Sequence, residues 1–193
     1  MKKNIPNILS VLRMVLAPVF LVMYVQDEVI WRALSVAVFA VAAITDFFDG
    51  YLARYYGVES DFGVFIDPLA DKFLTFAGFF CLPFLNEELF PWWAVGVIVG
   101  RDVCITILRM VANRKKKKME TRFSAKAKTT VQMVFLYAVL LAGVFIGSDV
   151  NFEFVIDGFF QSVILYYAML FVTALTLYSG IEYVWVNRSL FKS

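Results

Sequence analysis

Four aspartates stand out first: Asp46-x-x-Asp49-Gly50-x-x-Ala53-Arg54, then eight residues, then Gly63-x-x-x-Asp67-x-x-x-Asp71. At 100° per residue, Asp46, Asp49, Gly50 and Ala53 fall on one helical stripe. Gly63, Asp67 and Asp71 align at i, i+4 and i+8 on a second helix. Pro68 allows two arrangements there: a first-turn proline capped by Asp67, or a proline inside a longer helix. Carboxylates packed this closely repel one another and protonate unless cations balance them. Oxygen-only ligands suit Mg²⁺, Mn²⁺ or Ca²⁺. Two such ions would neutralise the four carboxylates and favour a phosphate or diphosphate substrate. Gly50, Ala53 and Gly63 leave room for a ligand at the helix backbone, and Arg54 suits phosphate oxygens. Small residues at these spacings are also common at membrane helix interfaces. The four acids beside them are not explained that way.

A second group is basic. Arg101, Arg109, Lys126 and Lys128 follow the acidic pair on the next two helices. A phosphomonoester carries nearly two negative charges at neutral pH. Arginine binds it bidentately and lysine adds a point charge. Simpler readings exist: Arg101 in a structural ion pair, and Lys126 and Lys128 as ordinary anchors at a membrane surface.

The elements that must position these residues are membrane helices. The 193 residues are 61% hydrophobic and 18% charged, with a mean hydropathy of +0.75. Six apolar stretches, at 8–26, 30–53, 63–85, 90–112, 127–147 and 161–184, each have the length that crosses a bilayer. They lack period-2 alternation, so a β-barrel is excluded. The expected fold is an all-α integral membrane protein, a six-transmembrane-helix bundle forming a single domain over residues 1–193. Lys2, Lys3, Arg54, Arg114, Lys115 to Lys118, Arg122, Lys126, Lys128, Arg188 and Lys192 would lie on one side. Asp27, Glu28, Glu87, Glu88, Asp149, Glu153 and Asp157 would lie on the other, with Arg32 its only base. By the positive-inside rule both termini and the acidic cluster face the cytoplasm.

Several function classes drop out. The chain has no histidine, so histidine bases and histidine-bound zinc are excluded. Cys81 and Cys104 cannot form a thiolate metal site or a disulfide framework. The basic run 114–118 directly follows a membrane helix and carries no nucleic-acid reading motif, so anionic headgroups are its expected partner.

The acidic pattern, eight defined residues over 26 positions, resembles the signature of the CDP-alcohol phosphatidyltransferase family at every position. The resemblance implies a six-helix membrane enzyme, usually a homodimer in the bacterial inner membrane, that displaces CMP from a CDP-linked lipid by an alcohol. It implies that Asp46, Asp49, Asp67 and Asp71 hold two divalent ions, Mg²⁺ or Mn²⁺, and that Asp71 is also the general base. Gly50, Ala53, Arg54 and Gly63 would contact the CDP moiety. The opening from Asn4 to Arg13, the Gly100-Arg101-Asp102 segment, 105–109, 126–133 and 177–183 resemble bacterial members that join CDP-diacylglycerol to glycerol 3-phosphate. Arg101, Arg109, Lys126 and Lys128 would then hold the acceptor phosphate. Many of those members have Glu where Asp102 stands. Arg-Asp-Val also occurs in the family's cardiolipin synthases, which keeps phosphatidylglycerol open as acceptor. A cation transporter is the remote alternative, but paired repeats and broken helices are missing.

Overall fold

The computed structural model describes the backbone of residues 5–56, 61–114, 123–146, 158 and 163–188. It describes the side chains of 11–44, 72–112, 126–146, 158 and 163–188. Among these residues the regular structure is helical: α1 (Ile5–Tyr24), α2 (Val29–Tyr56), α3 (Asp61–Leu85), α4 (Trp92–Arg114), α5 (Phe123–Val144) and α6 (Val163–Val186). Each expected apolar stretch coincides with one helix. Lys126–Val144 and Val163–Val186 are long and apolar enough to cross a membrane.

α3 begins at Asp61, so Pro68 lies in its interior. The first-turn arrangement is therefore not adopted. The helix has already completed nearly two turns before the proline, and Asp67 is a helical residue rather than a cap.

α1 packs chiefly against α2 and α3, α4 against α6 and α3, and α5 against α6, α2 and α3. One end of the bundle is an apolar layer built by Phe20, Tyr24, Phe39, Phe79, Leu82, Phe90 and Leu140. Phe20 and Phe39 meet with ring centroids 4.8 Å apart, and Phe39 meets Tyr137 edge-on at 5.3 Å. The Tyr24 hydroxyl donates to the Leu140 carbonyl at 2.9 Å. This satisfies a buried polar atom that would otherwise cost about 1–3 kcal/mol. α5 comes this close because residue 143 is glycine: a Cβ there would collide with the Tyr24 hydroxyl and sit 3.0 Å from Leu85 Cδ1.

The connections at this end are short and hydrogen-bonded. The Asn86 side-chain oxygen accepts from the backbone amides of Glu88 and Leu89 at 3.0 and 3.1 Å, forming the turn into Pro91 and α4. Arg32 donates to the Gln26 carbonyl at 3.0 Å and to the Ile146 carbonyl at 3.3 Å. One guanidinium thus joins the α1–α2 turn to the end of α5.

The outside of the bundle is apolar. Val15, Val22, Ile30, Val41, Phe84 and Ile164 are among the large apolar side chains exposed. Continuous apolar exposure of this kind marks a surface that meets lipid or another apolar body rather than water.

Candidate active site

α2 carries Asp46, Asp49, Gly50, Ala53 and Arg54, and α3 carries Gly63, Asp67 and Asp71. Both segments are helical throughout, so the stripe positions expected from the spacing are kept. Their side chains lie outside the described residues. Among the described side chains there is no group of three or more acidic, His or Cys residues that could hold a metal ion.

The side chains of all four basic residues are described. Arg101 and Arg109 from α4 and Lys126 and Lys128 from α5 line one cavity of about 380 Å³. α3 contributes Lys72 and α6 contributes Tyr183. The hydroxyls of Thr106, Thr129 and Thr130 complete the polar wall. Among the described residues, five cations and one carboxylate, Asp102, surround this space. Such a concave, positively charged site concentrates anions.

The cations differ in what they already bind. Lys128 is 1% exposed, and its ammonium donates to Asp102 Oδ1. Arg101 Nη1 donates to the same oxygen at 2.9 Å. Two cations thus share one buried carboxylate oxygen, and the trio keeps a positive charge. Arg101 Nη2 also donates to Ser179 Oγ on α6 at 2.9 Å. Arg101 Nε is buried and has no hydrogen-bond partner among the described residues. A polar seam continues inward from this trio: Ser179 Oγ donates to the Thr176 carbonyl at 3.0 Å, and Gln132 donates to Thr176 Oγ1 at 3.1 Å. The seam is why α4, α5 and α6 meet here in one rotation. A buried polar group that loses its partner pays its full desolvation cost.

Arg109 and Lys126 are the exposed cations of the cavity. Arg109 Nε lies 3.4 Å from the Tyr183 hydroxyl, and its guanidinium carbon is 5.8 Å from the ring centre. Both contacts are loose, so among the described residues Arg109 keeps donors to spare.

Arg101, Arg109, Lys126 and Lys128, grouped in the sequence by their charge and order, all line this one cavity. Surface anchoring does not describe Lys128, which is buried on a carboxylate. The intrahelical partner of Arg101 is Asp102, and its contact with the neighbouring helix is to a hydroxyl. Sequence reasoning missed the contributions of Thr106, Thr129, Thr130 and Tyr183. Lys72, a charge within an apolar run directly after Asp71, was legible as a functional position but not as part of this cavity. Arg13 was also missed. It is 3% exposed and lines a small cavity of about 140 Å³ with Ala43, Leu74, Thr75 and Tyr137. Ala43 is one turn before Asp46 and Leu74 is one turn after Asp71, so Arg13 lies a layer beneath the acidic segments.

A helical bundle whose α2 and α3 carry the acidic pattern in their sequence, and whose α3, α4, α5 and α6 line a basic cavity, defines a class. The profile of the CDP-alcohol phosphatidyltransferase family matches residues 3–178, and the chain belongs to that family. It is an enzyme of the phosphatidyltransferase class. Its relatives narrow the class. It is 39% identical over 145 residues to a Mycobacterium tuberculosis protein named probable phosphatidylglycerophosphate synthase, covering 72% of this chain and 68% of that one. It is 35% identical over 142 residues to the CDP-diacylglycerol–glycerol-3-phosphate 3-phosphatidyltransferase of Escherichia coli, covering 70% and 76%. The Salmonella typhimurium protein of the same name is 35% identical over 141 residues, again covering 70% and 76%.

Proposed function

We propose that the protein transfers the phosphatidyl group of CDP-diacylglycerol to sn-glycerol 3-phosphate, giving phosphatidylglycerol phosphate and CMP. One observation carries this reading beyond the family. Arg101, Arg109, Lys126 and Lys128 converge on a cavity that also takes Lys72, the residue directly after Asp71. A cavity for a small phosphate thus adjoins the helix that carries the proposed base.

The donor set of α2 and α3 fits hard divalent ions, because it is made of carboxylate oxygens alone. Asp46, Asp49, Asp67 and Asp71 would hold two ions, Mg²⁺ or Mn²⁺. When bound, they supply charge compensation for the diphosphate and for the CMP leaving group. Gly50, Ala53, Arg54 and Gly63 receive the cytidine diphosphate, with Arg54 on its phosphate oxygens. Arg109 and Lys126 bind the acceptor phosphate directly. Arg101 and Lys128, fixed on Asp102, present the remaining positive charge. Asp71 takes the proton from the acceptor 1-hydroxyl. The freed oxygen pair attacks the phosphorus nearest the lipid. The bond from that phosphorus to the bridging oxygen breaks, and CMP leaves with its electrons. Such a displacement depends on positioning and charge, not on a covalent enzyme intermediate.

The same reading places the chain as one domain of six membrane spans in a bacterial inner membrane. Both termini and the site face the cytoplasm. The loop charges support this orientation. The family resemblance supports a homodimer.

The test is an acceptor comparison. Purified protein receives CDP-diacylglycerol and Mg²⁺ or Mn²⁺, and CMP release is followed with glycerol 3-phosphate or with phosphatidylglycerol. Release with glycerol 3-phosphate alone is expected. Release with phosphatidylglycerol alone would keep the aspartates and overturn the acceptor.

A further inference from the structure

A second recess lies on the outside of the bundle, between α4 and α6. It is a lateral groove of about 470 Å³, lined by Cys104, Leu108, Leu177, Ile181, Val184 and Trp185. Leu177, Ile181 and Val184 form a stripe at i, i+4 and i+7 on α6, and Cys104 and Leu108 face it at i, i+4 on α4. Gly180 deepens the floor. A Cβ there would press on Arg101 Cγ and Nε, both at 3.0 Å. Among the described residues, charged groups enter the lining at two places, and both are arginines: Arg101 at the inner wall and Arg188 just past the end of α6.

The chemistry of the groove selects its occupant. Its length is apolar, as an acyl chain requires. Its mouth holds a cation beside an aromatic ring: the Arg188 guanidinium lies 4.3 Å from the Trp185 ring centre. Among the described residues Arg188 has no carboxylate partner. Tryptophan with arginine at a helix end is the pairing that anchors at headgroup level. Among the described residues, no acidic side chain lines the groove. A protein helix would satisfy the apolar stripe but would leave Arg188 unanswered. A phospholipid with a net negative head satisfies both.

We propose that the α4–α6 groove binds an anionic bilayer phospholipid, with one acyl chain along Leu177, Ile181 and Val184 and its phosphate on Arg188. This rests on the membrane reading above but not on which acceptor the enzyme uses. The bound lipid is a structural companion, distinct from the CDP-linked donor. Because Arg101 and Ile105 line both this groove and the basic cavity, a seated chain packs the back of the wall that carries the acceptor cations.

The groove has a built-in reporter. The chain has four tryptophans, and Trp31, Trp92 and Trp93 lie at the opposite ends of their helices from Trp185. Full-length protein in phosphatidylcholine nanodiscs is titrated with brominated-chain phosphatidylglycerol or brominated-chain phosphatidylcholine. The Trp185 signal is the difference in quenching between wild type and Trp185→Phe. Half-quenching by the phosphatidylglycerol is expected at about fivefold lower mole fraction than by the phosphatidylcholine, the preference one basic residue near a surface gives. Arg188→Gln should abolish the preference, Arg188→Lys should keep most of it, and Ile181→Phe should weaken quenching by both lipids. Equal quenching by the two lipids, or a preference that survives Arg188→Gln, would overturn the proposal. So would displacement of the brominated phosphatidylglycerol by stoichiometric CDP-diacylglycerol, which would assign the groove to the donor. CMP release by the Arg188→Gln protein, measured in parallel, reports separately on the transferase reading.

Discussion

The two ends of the bundle are held together by different physics. At the end bearing the α1–α2 and α3–α4 connections, rings and aliphatic chains interlock around Tyr24, Phe20, Phe39 and Leu140. At the other, α4, α5 and α6 meet through Asp102, Lys128, Arg101, Ser179, Thr176 and Gln132. Within a bilayer, apolar helix faces gain nothing by leaving water. The first end therefore depends on close approach, which Gly143 and Gly78 permit. The second end binds by satisfying charges that hydrocarbon would penalise. Buried ion pairs seldom raise stability above that of a well-packed apolar substitute. Their presence on the wall of an anion-sized cavity therefore points to a use: they hold positive charge in fixed positions for a substrate.

The strongest way to sharpen the contrast lies next to the seam, on α3. Asp71→Asn should reduce CMP release by at least about a hundredfold, the usual contribution of a general base, while CDP-diacylglycerol binding persists. Wild-type turnover in that variant would remove Asp71 from the role of base. The seam itself should respond next. Asp102→Ala would leave Lys128 buried without its carboxylate and should cost about 3–5 kcal/mol in thermal or denaturant unfolding. The double change Asp102→Asn with Lys128→Met keeps an acceptor for Arg101 and should restore much of that stability while acceptor use stays impaired. Leu140→Ala, at the apolar end, should lose about 2–5 kcal/mol yet leave the acceptor Michaelis constant unchanged. If the double variant kept normal acceptor kinetics, the seam would be merely structural.

The exposed cations should give smaller, purely kinetic effects. Arg109→Ala should raise the acceptor Michaelis constant by about tenfold, the worth of a charge-assisted hydrogen bond, and leave that for CDP-diacylglycerol near its original value. Equal changes in both would place Arg109 outside the acceptor pocket. Lys126→Ala is expected to shift the acceptor constant only about two- to fivefold, because an exposed charge is partly screened. A larger effect than that of Arg109→Ala would invert their assigned order.

The helices were readable because runs of about 20 apolar residues are a local feature of the chain, of the length a membrane crossing requires. The stretch expected at 63–85 became α3 at Asp61–Leu85, and that expected at 161–184 became α6 at Val163–Val186. Pro68 was ambiguous for an equally local reason: a proline tolerates either a first turn or a kinked interior. Only the length of helix preceding it decided. The acidic motif was legible by spacing alone, since three- and four-residue intervals place side chains on one stripe without reference to any partner.

Residue type and interval thus determined the class of fold, the two helices that carry the acidic pattern and the sign of the charge that follows them. They could not tell that Lys128 would be spent on Asp102, 26 residues earlier in the chain, while Arg109 and Lys126 stay open. Nor could they tell that Lys72 would turn toward α4 and α5, or that Arg101 would separate a polar cavity from an apolar groove. Those facts depend on the rotation of each helix about its axis against its neighbours. Helical periodicity says which residues share a face. Only the packing of α3, α4, α5 and α6, held by glycine approaches and buried hydrogen bonds, says which faces meet.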